Sequence, residues 1–207
     1  MTRYDGRTMP NDLDLASLLA SRLCHDVVGP VGAIQNGLEL MAEDESMAEM
    51  ALELIKKSAA QATAKLQYAR MAYGAAGGAE EIDPNEAGRL TAGVFAGERA
   101  TLEWDWGGGA VPRIPVKLAM LIATYALGCV PRGGTITVRY ENETLSVHAA
   151  GAQLRTPPFL EVITDGGEIT DPRAVQALCI QKLADSAGWR IVVKTEEGSM
   201  TFKTVSR

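Results

Sequence analysis

The chain is poor in the residue types on which several chemistries depend. Its 207 residues hold three cysteines and two histidines, and aromatic side chains make up only 5%. Cys24, Cys129 and Cys179 are odd in number, far apart and set in apolar helical patterns. That arrangement fits reduced thiols acting as small hydrophobes, with no disulfide framework and no paired metal-ligand spacing. No stretch approaches the roughly twenty uninterrupted apolar residues of a membrane-spanning helix, and the opening MTRYDGRTMPNDLD lacks an apolar signal core. A cytoplasmic protein with no membrane partner is expected. Basic residues are in the minority, 20 Lys and Arg against 26 Asp and Glu, for a net charge of −6 that repels phosphate backbones. Residues 12–73 alone carry nine acidic and five basic side chains, so nucleic acid is not an expected partner.

What is present is strong helical periodicity. Leu13, Ala16, Ala20, Cys24, Val27, Val31, Ile34, Leu38 and Met41 step by three and four, which predicts one long helix. After EDES, with Ser46 as N-cap and Glu49 completing a capping box, a second stripe runs through Leu52, Ile55, Ala59, Ala62, Leu66, Ala69 and Tyr73. The expectation is a helical hairpin over residues 12–73. One hairpin cannot cover both stripes, so pairing with a second copy into a dimeric four-helix bundle is predicted; the alternative is that the rest of the chain covers them.

Residues 74–81, GAAGGAEE, break the pattern and read as a linker. Beyond it, residues 82–207 alternate between types. A helix opens at DPNEAGRLTAGVFAGE, ATLEWDW reads as a strand, and GGG at 107–109 reads as a turn. The buried helix PVKLAMLIATYALGCV leads into strands TITVRYE and TLSVHA, and the helix DPRAVQALCIQKLADSAG precedes strands WRIVVKT and MTFKTVS. This order predicts an α/β sandwich with helices on one face of a mixed sheet, and the whole chain is placed in the α+β class. Trp104 and Trp106 fall on one strand face and read as core; His148 alternates with apolar neighbours and is given no role.

LASRLCHDVVGPVGAIQN is the stretch where pattern and propensity conflict. Pro30 removes the N–H that would bond the Asp26 carbonyl, and Gly29 and Gly32 weaken the helix further. A kink is expected there. His25 lies one position after the stripe residue Cys24, and Ser21, Gly29 and Gly32, on its face, are too small to shield it. A histidine beside a carboxylate suits nucleophilic work on phosphorus, because a neutral imidazole nitrogen attacks while a nearby charge fixes its tautomer.

HDVVGP resembles the H-[DE]-x-x-x-P motif in the phosphotransfer hairpin of sensor histidine kinases, and GCVPRGGTITV resembles the turn and strand after the kinase ATP-domain asparagine helix. By length, element order and LASRLCHDVVGPVGAIQNGLEL, the chain is most similar to the ChpT-type histidine phosphotransferases of alphaproteobacterial phosphorelays. It departs from the kinases where they bind Mg²⁺-ATP. Leu121 and Tyr125 stand in place of asparagines, Ala149 in place of the adenine-reading aspartate and Gln153 in place of a glycine.

The resemblance implies a homodimer that carries a phosphoryl group on His25, taken from the receiver domain of a hybrid histidine kinase and given to response regulators, without binding ATP. Asp26 is the expected orienting charge, and Arg22, Ser21, Gly29 and Gly32 the expected partner-binding surface. No cofactor is expected in this chain; Mg²⁺ is expected in the receiver. The alternatives are a divergent ATP-dependent kinase and a non-catalytic adaptor for response regulators.

Overall fold

A computed structural model describes residues 2–4, 7–9, 11–74, 81–107, 109, 111–166, 169 and 171–207. Most of the expected linker, residues 75–80, lies outside the described residues, as does position 108 of the glycine run. Two short strands, β1 (Thr2–Tyr4) and β2 (Arg7–Met9), pair with each other ahead of the first helix. Helix α1 (Asp12–Glu43) starts at Asn11, whose side chain accepts from the Asp14 backbone while Asp14 bonds back to Asn11. This capping box satisfies two orphan donors of the first turn. Pro30 sits buried inside α1, and the helix runs on through it.

The second helix, α2 (Ala48–Ala72), begins two residues later than the expected cap. Asp44 Oδ1 accepts from both the Ser46 backbone and its hydroxyl, at 2.8 and 2.7 Å, and caps a 3-10 turn over Glu45–Met47. Ser46 is therefore a ligand of the cap and not the cap itself, because an ionised carboxylate is the stronger acceptor. The two helices approach closely at Gly37, where an added Cβ would stand 2.6 Å from Ile55 Cγ1. The expected stripes pack within the chain only in part. Pro30 and Gly37 on α1 and Ala51, Ser58, Ala62, Tyr68 and Ala72 on α2 are buried, whereas Val31 and Leu38 stay 50% and 57% exposed and Leu66 53%.

The remaining elements form a layer of helices on a sheet. They are β3 (Glu81–Ile82), α3 (Pro84–Phe95), β4 (Ala100–Trp106), β5 (Val111–Pro112), α4 (Arg113–Ala126), β6 (Gly134–Glu141), β7 (Thr144–Ala150), α5 (Leu160–Asp165), α6 (Val175–Ser186), β8 (Trp189–Glu196) and β9 (Ser199–Ser206). The main sheet has the order β4-β6-β7-β9-β8, with β4 and β6 parallel and the other pairs antiparallel. Its inner face carries Ile136, Val138, Val147, Ala149 and Phe202, all fully buried under α4 and its neighbours. Helix α4 lies at the centre of the core, with Leu118, Met120, Leu121 and Ile122 sealed from solvent. The outer face is polar: Thr137 donates to Glu103 at 2.8 Å and Arg139 to Asp105 at 3.2 Å. Trp104 and Trp106 are on the inner face, as the alternation predicts, and Trp106 stacks on Tyr140 at 4.6 Å. The α+β class and the long hairpin stand as expected. The small β3–β5 ribbon and helix α5 were not legible in the sequence.

The hairpin rests against this layer through α2, whose Tyr68 hydroxyl lies 2.7 Å from Thr124 Oγ1 and 3.1 Å from the Met120 carbonyl of α4. Gln176 of α6 donates to the same Thr124 hydroxyl and to the Leu121 carbonyl, both at 2.9 Å. No described helix is long and apolar enough to cross a membrane.

Candidate functional site

Helix α1 presents Ser21, His25, Gly29 and Gly32 on one face, at steps of four, four and three. The His25 side chain is 86% exposed. Gly29 and Gly32 leave open space, since a Cβ added at either would meet nothing within 4 Å. The expected shallow surface is therefore present around the ring.

Asp26 and Arg22, also on α1, form an ion pair with Arg22 Nε donating to Asp26 Oδ2 at 2.9 Å. The other carboxylate oxygen, Oδ1, stands 3.5 Å from His25 Nδ1. That separation is within electrostatic reach and longer than a hydrogen bond. Burial opposes the charge on Arg22, but the hydrogen bond and charge of Asp26 reverse the sign and hold its pKa above the ordinary value. Both side chains are about one-third exposed, and the pair sits where the hairpin meets the layer behind it.

On one side of this pair a groove of about 490 Å³ opens past His25. Its far wall is built from Tyr125, Gly128, Pro158, Phe159 and Arg173. The Tyr125 hydroxyl donates to the Pro158 carbonyl at 2.7 Å, and its ring meets Phe202 edge-on at 6.0 Å. Burial raises the Tyr125 pKa well beyond the usual phenol. Phe159 holds the left-handed backbone conformation, φ 64°, immediately before α5. A bulky residue in that region is strained, and such strain concentrates at functional surfaces.

On the other side lies a smaller, partly open pocket of about 140 Å³, lined by Arg22, Asp26, Lys65, Tyr68, Tyr73 and Gln176 among others. Burial lifts the Tyr68 and Tyr73 pKa values, so both hydroxyls stay neutral.

The α1 face is readable in the sequence and the far wall is not. Tyr125 stands in the sequence only as a departure from the kinase asparagines, and nothing in TPPF announces a positive φ at Phe159 or its approach to α1. His148, set aside in the sequence, lies on the outer sheet face with Nδ1 2.9 Å from Thr201 Oγ1. Leu121 and Ala149 are fully buried, which leaves their positions filled with hydrocarbon. Among the described residues, no group of three or more His, Cys, Asp or Glu side chains is placed to hold a metal ion.

Residues 84–199 match the family model described as the histidine phosphotransferase C-terminal domain. Protein phosphotransferase ChpT of Brucella abortus (strain 2308) is 38% identical over 198 residues, spanning 92% of this chain and 94% of that protein. The chain belongs to the ChpT-type histidine phosphotransferases. A solved structure of a bacterial phosphotransferase superposes with a TM-score of 0.87 at 36% identity, covering 96% of this chain and 99% of that one. The same architecture is therefore already seen in a relative, and phosphoryl transfer is the reaction this chain serves.

Proposed function

We propose that His25 is the phosphoryl acceptor and that the chain shuttles the group between aspartates of two receiver domains. The observation that carries the reading is the exposed His25 ring, on a face kept shallow by Ser21, Gly29 and Gly32 and backed by a carboxylate on its Nδ1 side. Nε2 attacks the phosphorus of an aspartyl phosphate, the P–O bond breaks with its electron pair returning to the receiver carboxylate, and a phosphohistidine forms. The reverse sequence at a second receiver completes the relay. In this reading the donor is the receiver of a hybrid histidine kinase, the acceptor is a response regulator, and any Mg²⁺ belongs to the receiver's acidic pocket. The chain's contribution is positioning and charge, as phosphoryl transfer demands.

ATP has no part in this scheme. The hydrocarbon of Leu121 and Ala149, and the Tyr125 hydroxyl committed to Pro158, offer neither metal ligands nor a purine-reading carboxylate where the kinase resemblance would put them. Two copies paired through the exposed hairpin stripe complete the proposed assembly.

The test is incubation with a radiolabelled phospho-receiver. Acid-labile, base-stable label should appear on the chain and vanish in His25→Ala. Label that survives His25→Ala would move the nucleophile elsewhere, and no label on the wild type would leave an adaptor. Calorimetry with Mg²⁺-ATP should register no binding; micromolar affinity would restore the kinase reading.

A further inference from the structure

Arg22, expected on the receiver-binding surface, has its Nε committed to Asp26, and its side chain lines both the groove and the smaller pocket. Only Oδ1 of Asp26 remains for the histidine, and it stands on the Nδ1 side of the ring. Neighbouring residues on a helix do not naturally face each other, so the rotamer of the carboxylate at position 26 decides whether it reaches the ring at position 25. A cation one turn back fixes that rotamer by holding the other oxygen.

The orientation has a chemical consequence. An isolated neutral imidazole favours its proton on Nε2, which leaves the wrong nitrogen with a lone pair for attack from solvent. A carboxylate beside Nδ1 favours the other tautomer. We propose that Arg22 is a positioning residue: by holding Oδ2 of Asp26 it aims Oδ1 at Nδ1 of His25, keeps the proton there and leaves the Nε2 lone pair facing outward. During transfer the proton stays on Nδ1 while the Nε2–P bond forms and the donor's bond to phosphorus breaks. The helices behind the site take part, because the pocket holding Arg22 is walled by Tyr68, Tyr73, Thr124 and Gln176. The assignment rests on His25 being the acceptor.

Two histidines make the test clean. The full chain, labelled with ¹⁵N at histidine, is observed at about pH 8.5, where ordinary imidazoles are neutral, and His25→Ala assigns the two rings. Phosphoramidate, which donates phosphoryl groups with ammonia as leaving group, serves as donor so that receiver docking plays no part. The wild type should show Nδ1–H on His25. Arg22→Met and Asp26→Asn should each shift His25 toward Nε2–H and slow its labelling about tenfold or more, the scale of losing a partner behind a reacting group. Arg22→Lys, which keeps the ion pair, should restore both readouts. Should Arg22→Met fail to fold, Arg22→Gln, which removes the charge and keeps a polar head, carries the same measurement. An unchanged tautomer in the two variants overturns the assignment, and a slower rate with that tautomer unchanged makes Arg22 a phosphate contact instead. Failure of Arg22→Lys to restore either readout also counts against it. Label on His25→Ala would refute the acceptor reading by itself, while the tautomer comparison would still judge Arg22.

Discussion

Tyr68 of α2 and Thr124 of α4 share a hydrogen bond of 2.7 Å that joins the hairpin to the layer carrying the groove wall. The Tyr68 ring is buried, and Gln176 reaches the same Thr124 hydroxyl from α6, so three helices meet at one oxygen. Tyr68→Phe should cost about 1 kcal/mol, the net value of one hydrogen bond, since Thr124 keeps other partners. Tyr68→Ala should cost about 3 kcal/mol or more by opening a cavity. Urea unfolding at fixed pH measures both; a loss under about 0.5 kcal/mol for Tyr68→Ala would mean that the junction is held elsewhere.

Two glycines of α1 should respond in opposite ways. Gly37→Ala pushes a methyl into Ile55 and should destabilise by about 1–3 kcal/mol. Gly32→Leu meets open space, so the melting temperature should hold or rise, while transfer from a phospho-receiver falls because the bulk obstructs docking. Normal transfer by Gly32→Leu would remove this face from the receiver's footprint.

The exposed stripe carries the dimer proposal. Val31 and Leu38, one heptad apart on α1, are half exposed or more, an unusual surface for a lone chain. Sedimentation at micromolar concentration should give a dimer for the wild type and a folded monomer for Leu38→Glu. A wild-type monomer, or a dimer unaffected by the substitution, would rule out this seam.

Alkaline pH should weaken the fold in two stages. Burial lifts the Cys129 thiol from 9.0 to about 12 and Cys179 from 9.0 to about 11, and raises Tyr68, Tyr73 and Tyr125 above 10.0. Each folded pKa exceeds its unfolded value, so the neutral forms stabilise fully below about pH 9 and the benefit drains as pH rises toward the folded values. Stability should be flat to about pH 9, fall as the unfolded thiols ionise, and fall faster past 10 as the tyrosines join, by up to about 1.4 kcal/mol per pH unit for each group. Chemical denaturation across pH 7–11 in reducing buffer measures this; Cys129→Ala should flatten the first stage. In the native chain at about pH 8 a thiol reagent should find Cys24, which is exposed, before the other two.

Periodicity made α1, α2, the buried α4 and the strands of the main sheet readable, because each carries its apolar side chains at its own spacing. It did not distinguish the seam within the hairpin from the stripe left outside: Pro30 and Gly37, poor helix formers, pack inward, while Val31 and Leu38 face out. Composition cannot signal that choice, since close helix approach selects small residues and not hydrophobic ones. The adjacency of His25 and Asp26 on one helix is legible in the sequence itself. The commitment of Arg22 to Asp26 is not, because an arginine one turn from two other polar residues has several partners open to it until the fold covers some of them. Phe159 and Arg173 arrive at the groove through tertiary packing of residues far along the chain, and no local pattern records it.

The groove is encoded in several widely separated stretches, one wall by α1 and the other by the segments around Tyr125, Phe159 and Arg173. Were the proposed receiver to meet both walls, partner choice would be open to mutation at either, and a substitution in one could be compensated in the other. In the proposed relay, a chimera that takes its hairpin from one relative and its sheet layer from another would keep the acceptor histidine, yet face a receiver with mismatched halves of a single surface.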